Sequence, residues 1–298
     1  MTDPMRLKAR AEAPLPAVRA ALTDPTALRT WLAEHAEVAL PRTFEFWGRY
    51  TPEGDAPHQR LLHADDHTLR FSWLIGGEDT TVEITLAEEG AGATIVTLTQ
   101  SHFPDWPEVM AGTNPRGVLH TFWALAIANL VDHVEGRDLT PKCDFTSTDL
   151  RAELFIGASP KEVYESLIDP VAFSRWFGAK VDIEPHVGGR FAMGGFDLED
   201  NPAKILDLDP CRRVQLAWDG GDGVVDTWEL ADSGGGTRLT FVQSGFDKPD
   251  YGGWAGWLGG VAELRRYHEL DSWRPLWLSV EVVGLPEAFT TVPHRRGT

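Results

Sequence analysis

Polar side chains set into apolar rows mark the places in this 298-residue chain where chemistry could sit. Gln100 and Gln243 end two alternating stretches, Val96/Leu98/Gln100 and Leu239/Phe241/Gln243, on the side that should face inward. A buried polar group without a partner is costly, so an amide in such a row either orients a ligand carbonyl or hydroxyl or stands at a strand end in water. His63 aligns with Leu208, and Asp226 with Val82, once the two halves of the chain are superposed. A histidine or carboxylate replacing an apolar residue is a candidate acid or base, or a solvated rim position. His102, His120, Tyr267 and His268 have similar standing.

Signatures of committed chemistry are lacking. The chain has no His-Glu-x-x-His, no Cys-x-x-Cys and no Gly-x-Ser-x-Gly after a strand, so neither a zinc site nor a nucleophile elbow is expected, and no catalytic residue is assigned. Gly220-Gly221-Asp222-Gly223 precedes no helix and reads as a hairpin turn, not a phosphate loop. No cofactor is expected.

Twelve tryptophans are the unusual component. Trp73, Trp218 and Trp228 have inward parity on strands, and Trp123, Trp254 and Trp257 lie on helix faces that should oppose them. They form either plain core or the lining of a cavity. With His63, Gln100, Asp226 and Gln243 they make the candidate ligand-contacting set. Trp47 has outward parity, and Trp31 and Trp176 read as aromatic plugs at a sheet end.

These residues must be positioned by elements that occur twice. Leu22-Thr-Asp-Pro-Thr-Ala-Leu-Arg-Thr-Trp31-Leu32 recurs as Leu167-Ile-Asp-Pro-Val-Ala-Phe-Ser-Arg-Trp176-Phe177, and the step from Asp24 to Asp169 is 145 residues. A step of that size in this chain signals a duplicated module. Each copy has a short strand, two short helices with Asp-Pro starting the second, and a run of period-two apolar strands. Each then closes with a long one-sided apolar helix, Leu119/Trp123/Ile127/Leu130/Val134 or Trp254/Trp257/Val261/Leu264/His268. The expected fold class is α+β: two tandem helix-grip domains, 1–140 and 147–298, each a curved antiparallel sheet around its C-terminal helix. The second carries an extra strand-like tail, Leu276/Leu278/Val280/Val282. The glycines of Gly252–Gly260 suit either a mobile cavity entry or close helix packing.

Bulk properties narrow the partners. The net charge of -18 divides evenly between the halves and leaves no basic stripe, which argues against nucleic acid and anionic membranes. No apolar run approaches the ~18 residues of a membrane span. Cys143 and Cys211 occupy non-matching positions, a reduced, cytoplasmic pattern.

Ser159-Pro-x-x-Val-Tyr-x-x-Leu-x-Asp-Pro170, Trp176-Phe177 and Gly188-Gly189-Arg190-Phe191 resemble the START/Bet v1-like superfamily. Within it they are most similar to the branch of the Hsp90-ATPase activator domain and the calicheamicin resistance protein. The resemblance spans residues 5–137 and 148–270. The first module departs from it, with Leu40-Pro41-Arg42 for Gly-Gly-Arg and Trp31-Leu32 for the aromatic pair. The resemblance implies a hydrophobic ligand cavity between sheet and helix. The leading expectation is a binding protein for an elongated hydrophobic small molecule of polyketide, polyene or enediyne type, serving as carrier, accessory or resistance protein. A polyketide aromatase/cyclase is the alternative, and an Hsp90-type co-chaperone the third reading.

Overall fold

A computed structural model describes residues 4–90, 92–221 and 223–289. The chain is α+β and divides into two compact units. Unit 1 comprises residues 1–147, 251–262 and 276–285, and unit 2 comprises residues 148–250, 263–275 and 286–298.

Unit 1 begins with β1 (Met5–Ala11), α1 (Leu15–Thr23) and α2 (Pro25–Trp31), followed by β2 (His35–Ala39) and β3 (Thr43–Trp47). Next come β4 (Gln59–Ala64), β5 (Thr68–Ile75), β6 (Glu78–Glu89) and β7 (Ala93–Gln100), then α3 (Trp106–Met110) and α4 (Leu119–Val134). Strand β2 pairs only with β3, whereas the main sheet is antiparallel. Burial alternates along β1 and β7, as expected of a sheet with one covered face. Asp24 starts α2 by accepting from the backbone N–H of Thr26 and Ala27, which offsets donors that the helix cannot satisfy itself. The linker is tied down: Asn129 of α4 donates to the Thr140 carbonyl at 3.0 Å and accepts from its N–H at 2.9 Å.

Unit 2 repeats the plan with β8 (Leu150–Ile156), α5 (Pro160–Ile168), α6 (Pro170–Phe177), β9 (Val181–Ile183), β10 (Arg190–Met193), β11 (Ala203–Asp209), β12 (Arg213–Ala217), β13 (Val225–Ser233) and β14 (Gly236–Ser244). Its sheet runs β8-β14-β13-β12-β11-β10-β9. The capping box expected at Ser159 forms, with Ser159 and Glu162 each bonding the other's backbone. The repeat extends to single hydrogen bonds. Trp31 donates to the Ala21 carbonyl at 3.0 Å, and Trp176 to that of Ser166 at 2.9 Å. Thr94 donates to Ala13, and Thr237 to Ala158, at 2.8 and 2.7 Å.

Two features differ from the sequence expectation. Helix α7 (Tyr251–Glu269) is buried on every face over Val261–Arg266, not along one stripe, and its residues are shared between the two units. The tail strand β15 (Trp277–Glu281) pairs with β1 at the edge of unit 1's sheet, giving the order β15-β1-β7-β6-β5-β4. An unpaired β1 would present open backbone donors and acceptors, and β15 satisfies them. Gly256 of α7 serves close packing: a Cβ there would stand 3.1 Å from Thr121 Cγ2 of α4. No helix among the described residues is long and apolar enough to cross a membrane.

Candidate functional site

The repeated glutamines meet different surroundings. In unit 1, Gln100 is fully buried at the end of β7. Its Nε2 donates to Thr80 Oγ1 at 2.8 Å, its Oε1 accepts from Trp123 Nε1 at 2.7 Å, and Thr80 donates onward to the Trp73 carbonyl at 2.8 Å. Both ends of the amide are thus satisfied within the core. Trp73 and Trp123 lie edge-to-face with one another, and each also meets Phe46 and Phe122. Such ring geometry fills the space under this part of the sheet with protein.

In unit 2 the matching amide is paired at one end only. Asp226, on β13, is fully buried and faces Gln243 across the β13–β14 ladder. Its carboxylate accepts from Trp218 Nε1 at 2.7 Å and from Gln243 Nε2 at 2.9 Å. Gln243 is only 7 % exposed, and its Oε1 is a buried atom with no hydrogen-bond partner among the described residues. The single exchange of Val82 for Asp226 accounts for much of this. In unit 1, Val82 offers no acceptor, and the Nε1 of Trp73 stays unpartnered among rings. In unit 2, Asp226 draws in both the tryptophan and the amide nitrogen.

Aromatic rings surround this polar cluster. Trp218 meets Phe191 edge-on at 6.0 Å, and Phe191 meets Phe173 at 5.3 Å, which packs on Trp176 at 4.3 Å. Trp228, two residues along β13 from Asp226, stacks on Phe241 at 4.9 Å. Trp218 itself lies just past β12, where the turn to β13 folds back through bonds from Gly221 and Gly223 to its carbonyl. The cluster therefore sits at one end of the sheet.

The other sequence candidates are placed as follows. His63 is exposed and pairs with Asp65 at 2.8 Å, because a register shift between Leu61 and His63 breaks the strand parity and turns the ring outward. It lines no interior. Trp254 and Trp257 are buried on α7, in the part that counts with unit 1. Trp47 is half-buried against His35. Sequence reasoning missed Glu263, Arg265 and Arg266, buried charged residues on the part of α7 that counts with unit 2. Their one visible signal was charge interrupting an otherwise apolar helix.

Unit 2 also has a groove of about 900 Å³ between α5, α6 and the end of α7, and none of Trp218, Asp226 or Gln243 lines it. Several of its polar groups are engaged, while His268 Nε2 is buried without a hydrogen-bond partner among the described residues. Glu162 and Asp169 cap helices, and the Arg175 guanidinium lies over the rings of Tyr267 and Trp273 at 5.6 and 5.4 Å. His268 there has its pKa lowered by burial, with Glu162 opposing. The Asp226 cluster is the stronger candidate, because it joins a fully buried carboxylate to a buried amide whose oxygen lacks a donor among the described residues. Among the described residues, no group of three His, Cys, Asp or Glu is placed to hold a metal ion.

Comparison with known proteins bears on the same segment. Residues 157–263 match the family described as activator of Hsp90 ATPase homolog 1-like protein. No curated protein matches the chain. Among solved structures, protein CV1439 from Chromobacterium violaceum is 24 % identical over 42 % of this chain and 100 % of its own, with a TM-score of 0.35. CalU16 from Micromonospora echinospora is 22 % identical over 41 % and 75 %, with a TM-score of 0.35. DynU16, from the dynemicin biosynthetic locus, is 16 % identical over 90 % of this chain and 100 % of its own, with a TM-score of 0.36. The match to the activator of Hsp90 ATPase homolog 1-like family contains Trp218, Asp226 and Gln243 together with the Ser159–Phe191 motifs, so it covers both the polar cluster and the stretch that carries the sequence resemblance.

Proposed function

We propose that unit 2 binds an elongated hydrophobic small molecule of polyketide, polyene or enediyne type, as a carrier, accessory or resistance protein. The observation that carries this reading is Gln243 Oε1, a buried acceptor left unpaired beside a buried carboxylate and among aromatic rings. Leaving such an oxygen unpaired costs about 1–3 kcal/mol, a cost that a bound partner would remove. Large flat side chains supply the contact area that an extended unsaturated molecule needs. Titration with a panel of polyenes and enediynes should quench tryptophan fluorescence with a Kd on the order of micromolar. Flat titrations across the panel would refute it.

The convergence of Asp226 with Gln243 also favours a second reading, a polyketide aromatase/cyclase in which Asp226 moves a proton. Turnover of a poly-β-ketone that disappears in Asp226→Asn would establish that reading. For the third, stimulation of an Hsp90 ATPase by the purified protein is the direct assay, and the family name of the matched segment is its support.

A further inference from the structure

The hydrogen bonds of the Asp226–Gln243 pair set the polarity that the pair presents to its surroundings. The Gln243 amide turns its nitrogen toward Asp226, whose carboxyl oxygen accepts from it. Both carboxylate oxygens are occupied in this way, Oδ2 by Trp218 Nε1 at 2.7 Å and Oδ1 by Gln243 Nε2 at 2.9 Å. With its nitrogen held there, Gln243 presents its oxygen on the other side. That oxygen is buried and has no partner. The amide cannot flip to offer nitrogen without placing its oxygen against the carboxylate.

The first module provides the internal comparison. Gln100 holds the same place on β7, but its nitrogen is taken by Thr80 and its oxygen by Trp123. The residue opposite it in the ladder is Val82, which imposes no polarity. One copy of the amide is closed at both ends, and the other is locked by a carboxylate with its acceptor end open.

We infer that unit 2 selects ligands carrying a hydrogen-bond donor, a phenol, enol or other hydroxyl on an apolar frame, which gives its hydrogen to Gln243 Oε1. The inference rests on the ligand-binding reading above and narrows it to a chemical class. Ethers and ketones of the same shape lack the donor and leave the oxygen unpaired. A site built around one polar contact rejects an analogue lacking it far more strongly than it senses a methylene.

Three probes of one shape test this: nonylphenol, its methyl ether nonylanisole, and nonylbenzaldehyde, whose carbonyl only accepts. Titrated calorimetrically into the full-length protein, nonylphenol should bind at least about tenfold more tightly than either of the others, the step expected for one buried hydrogen bond. Gln243→Met should reduce nonylphenol to the affinity of the ether while leaving the ether unchanged. Equal affinities for all three probes overturn the donor requirement and leave the binding reading standing. Tighter binding of the aldehyde overturns it in the same way. Binding of none of the three overturns the binding reading and this inference with it. The wild-type comparison decides the matter even where Gln243→Met does not fold.

Discussion

Replacing each repeated glutamine by methionine, a side chain of similar length, should give unequal costs. In Gln100→Met, Trp123 Nε1 loses an acceptor at 2.7 Å inside a core where Trp123 is 1 % exposed. A buried N–H left unpaired costs about 1–3 kcal/mol, and the lost bond to Thr80 adds about 1 kcal/mol. The sum is about 2–4 kcal/mol. In Gln243→Met, one bond to the Asp226 carboxylate is lost, worth about 1.5–3 kcal/mol. The same change deletes an oxygen that is already buried and unpaired, which returns about 1–3 kcal/mol. The net lies between about −1.5 and +2 kcal/mol, centred near zero. Because two compact units need not unfold together, the comparison should be made by native-state hydrogen exchange, following amides of β6–β7 for Gln100 and of β13–β14 for Gln243. A loss at Gln243 equal to or larger than that at Gln100 would refute the reasoning, since it would mean that the oxygen of Gln243 is satisfied in the folded protein.

Two further outcomes follow from partly buried basic side chains. The half-buried His120 imidazole is pushed down to about 4 by burial, below its ordinary 6.5, and its Nε2 has no partner. The folded state therefore disfavours the proton: stability is complete above pH 6.5 and is lost as pH falls toward 4, by up to about 3 kcal/mol. Denaturation of His120→Leu, measured at pH 7 and pH 4, should show that part of the acid sensitivity removed. Lys142 donates to the carbonyls of Arg29, Thr30 and Ala33 at 2.7, 3.2 and 3.1 Å, beyond the end of α2, and lies 4.6 Å from the Tyr50 ring centre. Lys142→Met should cost about 1–2 kcal/mol in thermal denaturation, with faster exchange in α2.

Most of the framework is legible in the sequence because it is written in local terms. Asp-Pro starts, the capping box at Ser159 and period-two strands each specify their own neighbourhood, and the duplication says them twice. The polar cluster is legible for a related reason: Asp226 stands out only against Val82, and Gln243 only against the apolar residues alternating with it. His63 misleads because a register shift at Leu61–His63 inverts side-chain parity without any glycine or proline to announce it. Trp218 lies past its strand, so its role depends on the turn rather than on strand alternation. The all-round burial of α7 and the pairing of β15 with β1 are tertiary facts, settled by which surfaces remain uncovered after local structure has formed. Gln100 and Gln243 are indistinguishable by position, and only the partners supplied by Thr80, Trp123 and Asp226 separate them.

The edge pairing has a consequence for synthesis. Arg6 lies opposite Glu281 in the β1–β15 ladder, so the sheet begun by β1 is completed by a strand translated 275 residues later. Until Trp277–Glu281 has emerged, β1 remains an open edge able to recruit strands from neighbouring nascent chains. Although the second module repeats the first in sequence, maturation of the two is not simply sequential, because the earlier-made sheet waits for the later-made tail. A fragment ending at the linker would carry every strand of the first repeat and still lack its border, and aggregation of that fragment during translation, relieved by adding the β15 segment in trans, is the behaviour this topology sets up.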